Sequence, residues 1–90
     1  MGFQSDFYAM TSVYSDDYQS VISALKQARV RQNITQTAIA TALGRPQSFI
    51  AKVENGERRL DVVEFIRLAQ LLGMDWQSEL QSIARKYVPL

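Results

Sequence analysis

The spacing of the helix breakers constrains this chain most. Gly44, the pair Asn55-Gly56, Gly73 and Pro89 divide it into short segments, and within these the apolar residues recur at helical spacing with no strand-like alternation. Two of the shortest segments adjoin in Thr35 to Gly56, TQTAIATALGRPQSFIAKVENG. In the first, Thr35 supplies a capping hydroxyl, and Ile34 stands where it can staple against Ile39. Ile39 and Leu43 form its core side, Ala40 is small enough for a neighbouring helix to approach, and Gly44 supplies a left-handed stop. The second starts near Pro46, which cannot cap but suits a first helical turn, and ends at Asn55-Gly56. About three residues separate them, the spacing of a helix-turn-helix unit at 35–56.

The remaining segments read as a mounting for this unit. Ser15 with Asp16 and Asp17 starts a helix whose buried face is Tyr18, Val21, Ile22, Leu25 and Ala28, with Lys26, Arg29 and Arg31 near its negative end and Asn33 in the exit turn. After the loop Glu57 to Leu60, Asp61 and Glu64 form a capping box, and Leu60 and Phe65 a second staple. The fourth helix carries Phe65, Ile66, Leu68, Ala69, Leu71 and Leu72 around much of its circumference, and is expected to be the most buried. Gly73 closes it and Asp75 caps a fifth helix with a stripe of Trp76, Leu80, Ile83 and Tyr87. The expected fold is an all-α, compact five-helix domain over residues 15–88. Residues 1–14, with Phe3, Phe7, Tyr8, Met10, Val13 and Tyr14 in no clear period, read as an N-terminal arm. Such an arm either stabilises a dimer or is a leader without a structural role.

Composition narrows the function. The formal net charge of +1 conceals an uneven distribution: residues 1–25 carry −3, residues 26–59 carry +5 and the remainder −1, so the positive charge surrounds the helix-turn-helix. The chain has no cysteine and no histidine, which removes disulfides, thiol chemistry and the usual zinc ligands. No phosphate-cradling glycine loop or metal-ligand cluster can be assembled, and the carboxylates are accounted for as caps or helix ends. The chain is expected not to be an enzyme and to need no cofactor or metal. With no signal-peptide pattern and no span of membrane-crossing length, a cytoplasmic protein without membrane contact is expected.

In the second short helix Phe49, Ile50 and Val53 form a narrow inward stripe, leaving Gln47, Ser48, Ala51 and Lys52 outward, a face suited to base edges and phosphates. Positions 22–80 resemble the Cro/lambda-repressor-like, or XRE-type, helix-turn-helix family. The resemblance rests on Thr35-Gln36, Ile39-Ala40, Leu43-Gly44, Gln47-Ser48-Phe49-Ile50, Lys52-Val53-Glu54-Asn55-Gly56 and Arg58-Arg59. It implies a DNA-binding transcriptional regulator, of repressor type, that places the helix at 46–55 in the major groove of double-stranded DNA. By the same resemblance Gln36 holds a backbone phosphate and braces the reading helix, while Arg45, Asn55, Arg58 and Arg59 hold the backbone. Gln47, Ser48 and Lys52 become the readers, Gln47 with an adenine and Lys52 with guanine or phosphate.

Pro46 departs from the family's usual capping hydroxyl, leaving that residue a van der Waals touch on a thymine methyl. Ala51 offers no hydrogen bond. So sparse a reading face implies a homodimer on a palindromic operator, which would also help stabilise the small core. The candidate dimer surface is Trp76, Leu80, Ile83 and Tyr87 together with Phe3, Phe7 and Tyr8 of the arm. Two other readings fit the same residues: a DNA-binding antitoxin whose arm or fifth helix holds a toxin partner, and a protein-interaction module that does not bind DNA.

Overall fold

In the computed structural model residues 15–90 are described; the segment 1–14, with Phe3, Phe7, Tyr8 and the arm role assigned to them, lies outside those residues. Among the described residues there are five helices and no strand: α1 (Asp16–Arg31), α2 (Gln36–Leu43), α3 (Gln47–Glu54), α4 (Val62–Leu71) and α5 (Trp76–Ala84). Each start has a local cause. The side chains of Ser15, Thr35 and Asp75 accept from the amides of Tyr18, Ala38 and Ser78, satisfying donors that the first turn leaves without partners. Asp61 and Glu64 close both halves of the capping box. Pro46 precedes α3 without any side-chain cap, as its chemistry requires.

The ends are equally specified. At the close of α2 the Arg45 amide donates to the Ala40 carbonyl at 2.9 Å and the Gly44 amide to that of Thr41 at 3.1 Å, with Gly44 at φ 79°. This is the Schellman arrangement, and its left-handed residue is comfortable only without a Cβ. It turns the chain within three residues, so α3 starts beside α2. The same pair of bonds closes α1 around Asn33, whose φ of 57° an asparagine tolerates better than most side chains.

One apolar core joins these helices. Ile22, Leu25 and Ala28 of α1 meet Ile39, Ala40 and Leu43 of α2, Phe49, Ile50 and Val53 of α3, and Phe65, Leu68 and Ala69 of α4, with Leu60 and Leu72 from the loops. Ala40 is buried, and α2 packs against both α3 and α4, the close approach its small side chain permits. Gln32 donates to the Leu72 carbonyl at 2.8 Å and the Leu60 amide to the Tyr18 hydroxyl at 2.9 Å, fastening both loops beside α4 to the α1 region.

As expected, α4 has more buried residues than any other described helix, Glu64, Phe65, Leu68 and Ala69, although Leu71 of its apolar set is exposed. One expectation needs revision. The fifth helix stops at Ala84, so Tyr87 does not continue its stripe. The tail instead turns back to Asp17, which accepts from Lys86 Nζ at 2.7 Å and from the Tyr87 hydroxyl at 2.5 Å. Trp76 packs on the core while its indole N–H donates to Gln70; Leu80 is exposed and Ile83 half-buried.

Candidate nucleic-acid interface

The α2–α3 unit presents one polar surface. Pro46, Gln47, Ser48 and Lys52 are exposed along the front and outer side of α3, Ala51 is half-buried, and Asn55 is exposed at its end. Phe49, Ile50 and Val53 anchor the opposite side in the core, so the helix cannot roll without exposing them. Among the described residues no group of histidines, cysteines and acids could hold a metal, and no helix is long and apolar enough to cross a membrane.

Behind this surface runs a chain of side-chain hydrogen bonds. Gln47 Nε2 donates to Gln36 Oε1 at 2.7 Å, and Gln36 Nε2 donates to Glu54 Oε1 at 2.9 Å. Glu54 also accepts from Arg29 Nε at 2.7 Å and from Arg29 Nη2 at 2.9 Å, a bidentate pair. Arg29 Nη1 completes the set by donating to the Ile34 carbonyl at 2.7 Å. The front of α3 is thus tied through α2 to its own rear, and from there to α1. Burial alone would push the Glu54 carboxyl up, but hydrogen bonds from Arg29 and then Gln36 hold it below the usual range, and the same contact raises Arg29. The Gln47 amide spends one N–H on this brace, which does not use its carbonyl oxygen or its second N–H.

A second cluster brackets α3 at its two ends. Glu64 Oε2 accepts from Arg45 Nη2 at 2.7 Å and from Arg58 Nη2 at 3.1 Å. Glu64 Oε1 meanwhile accepts from the Asp61 amide at 3.0 Å, the capping-box bond. That amide, followed by the Arg58 and Arg45 charges, holds the Glu64 carboxyl below its ordinary range. Both guanidiniums lie over the ring of Phe49, Arg45 at 4.5 Å and Arg58 at 4.9 Å from its centroid. Arg58 also donates to the Arg59 carbonyl, and Arg59 stands 5.8 Å over the Tyr18 ring.

The residues singled out in the sequence therefore fall in two places. Gln36, Arg45, Pro46, Gln47, Ser48, Lys52, Asn55, Arg58 and Arg59 belong to the α2–α3 unit and its flanking turns, whereas Trp76, Leu80 and Ile83 lie on α5 and Tyr87 beyond it. Sequence reasoning missed the organising roles of Arg29, Glu54 and Glu64. A signal was present: Arg29 follows Leu25 by four residues, Glu54 follows Ile50 by four, and Glu64 precedes Leu68 by four, so each charge continues an apolar stripe. A charge on a buried stripe requires a partner.

Comparison with known proteins agrees with this geometry. The family model described as helix-turn-helix matches residues 25–78. A solved structure, an XRE-family like protein from Pseudomonas syringae pv. tomato str. DC3000, is 39% identical and superposes with a TM-score of 0.73. The match covers 84% of this chain and 93% of that one. Among curated proteins there is no significant match.

Proposed function

The chain belongs to the XRE-type helix-turn-helix family of DNA-binding regulators, and from that premise we propose that it is a repressor binding a palindromic operator as a homodimer. In this reading α3 enters the major groove. Gln47 reads an adenine, its carbonyl oxygen accepting from N6 and its remaining N–H donating to N7. The observation that carries the reading is the Gln36–Gln47 bond, which orients the amide without using up its recognition edge. Ser48 and Lys52, exposed and one turn apart, take neighbouring bases or phosphates in this reading, and the exposed Pro46 makes an apolar touch on a thymine methyl.

Gln36, Arg45, Asn55, Arg58 and Arg59 hold the backbone, fixing register without reading sequence. With so few readers per subunit, a single half-site discriminates poorly and two related by a two-fold axis discriminate well. Leu80 and Ile83 on α5, Trp76 at its start and the segment containing Phe3, Phe7 and Tyr8 are the surfaces assigned to pairing. Tyr87 contributes through its exposed ring while its hydroxyl stays on Asp17.

The test is binding-site selection from a random library with the purified chain, followed by footprinting. The expected result is an inverted repeat with half-site centres roughly 34 Å apart, or a multiple of that spacing. Absence of both sequence preference and salt dependence would remove the DNA-reading role.

A further inference from the structure

We propose that Glu64 is a positioning residue for DNA binding: it fixes Arg45 and Arg58 as a preset pair of backbone contacts at the two ends of the recognition helix. The inference rests on the reading of these arginines as phosphate holders. Its observations are independent of that reading. Arg45 lies in the turn that enters α3 and Arg58 in the loop that leaves it, yet both donate to the same oxygen of one carboxylate, at 2.7 and 3.1 Å. Both also cover one aromatic ring, Phe49, which is itself a core residue of α3. Glu64 is in turn immobilised by its own capping-box bond to the Asp61 amide.

The exposures decide what the cluster can do. The Glu64 side chain is only 9% exposed, while those of Arg45 and Arg58 are 40% and 41% exposed. The acid is buried and the cations face outward, and a guanidinium has more N–H donors than these contacts employ. Between two cations drawn to one ring, the carboxylate also offsets their mutual repulsion. Long side chains normally lose rotamer freedom on binding, which weakens the complex. Here that ordering is done before DNA arrives. The benefit applies where α3 is seated and the phosphates occupy fixed positions, because in a loose non-specific complex the arginines need act only as charges.

Glu64→Gln is the informative variant, since a glutamine at this position can still accept from the Asp61 amide while its charge is lost. In the full chain, with thermal unfolding confirming a folded protein, its affinity for random duplex should rise. The ratio of selected-operator to random-duplex affinity should fall about tenfold, the order expected when two side chains must be ordered on binding. In the Arg45→Ala/Arg58→Ala background, adding Glu64→Gln should leave that ratio unchanged. An unchanged ratio in the single variant, or an equal fall in the double-alanine background, overturns the proposal. If Arg45→Ala and Arg58→Ala each leave operator affinity and salt slope untouched, the phosphate-holding reading itself fails. If they weaken binding while Glu64→Gln preserves the ratio, that reading stands and only the positioning role is lost.

Discussion

Two Arg–Glu clusters support α3, and they differ in which partner meets water. In the Arg29–Glu54 pair both side chains are nearly enclosed, at 12% and 8% exposed, and Arg29 directs Nε, Nη1 and Nη2 into protein acceptors. Around Glu64 only the acid is enclosed, while Arg45 and Arg58 remain open. The same pair of residue types thus serves two purposes. With both ends buried it is scaffold, fixing α1, α2 and α3 together; with one end buried it is a mount for an outward-facing cation.

The contrast breaks most visibly at Arg29. Arg29→Ala leaves Glu54 enclosed without its main partner, and removing one member of a buried pair costs about 3–5 kcal/mol. Urea unfolding at neutral pH should show a loss of that order. Arg58→Ala, whose cation is half-solvated, should cost well under half as much. Equal losses at the two positions would mean that burial does not separate the clusters.

Acid should sharpen the same comparison. Glu54 and Glu64 are both held below the ordinary carboxylate range in the folded chain, so each contributes stability above the unfolded value, roughly 4.3, that is lost as pH falls through the folded one. Without Arg29, only Gln36 and the more distant charge of Lys26 oppose burial, and the Glu54 carboxyl rises. Protonation then relieves the variant. The stability gap between wild type and Arg29→Ala should therefore be widest near neutrality and narrow below about pH 4.3. Urea titrations across that range would reveal a constant gap if the Arg29–Glu54 charge pair were not its source.

A smaller effect is expected along the hydrogen-bond chain. Gln36→Ala removes a neutral side chain that donates to the charged Glu54 carboxylate, at about 1.5–3 kcal/mol of stability. It should also act on DNA recognition, because Gln47 loses its orientation. Gln47→Ala should relax discrimination at one base position by about 1–3 kcal/mol. Gln36→Ala should reproduce part of that relaxation, and the double variant should add little to Gln47→Ala alone. Strictly additive losses in a double-mutant cycle would show that the bond does not orient the reader.

How much of this was legible in the sequence depends on the range of the interaction. Caps, staples and glycine stops act over a few residues, and Thr35, Gly44, Asp61-Glu64 and Asp75 take the roles their local chemistry implied. The inward stripe of α3 was legible for the same reason. Arg29 and Glu54 are far apart in the chain, and their pairing depends on how α1 crosses α3. Local propensity saw only cations suited to the end of a helix. The joint pairing of Arg45 and Arg58 was not legible because the acid they share lies on α4. Tyr87 was misplaced by extending a period past Ala84, where contacts with Asp17 govern the tail.

That tail supplies the third acid-centred cluster and the smallest expected effect. Asp17 is held below, and Lys86 and Tyr87 above, their ordinary values by mutual hydrogen bonding, as in the buried clusters. The geometry is equally short, at 2.7 and 2.5 Å. Yet the Lys86 side chain is 60% exposed, so water competes for both partners and salt screens the pair. Distance alone would rank this contact with Arg29–Glu54; exposure ranks it last. Lys86→Ala should leave the unfolding midpoint nearly where it was, and the slight loss at low ionic strength should vanish in about 1 M salt, where the screening length falls to about 3 Å. A drop as large as that of Arg29→Ala would mean that the tail, and not the enclosed relay, fixes how α1 is held.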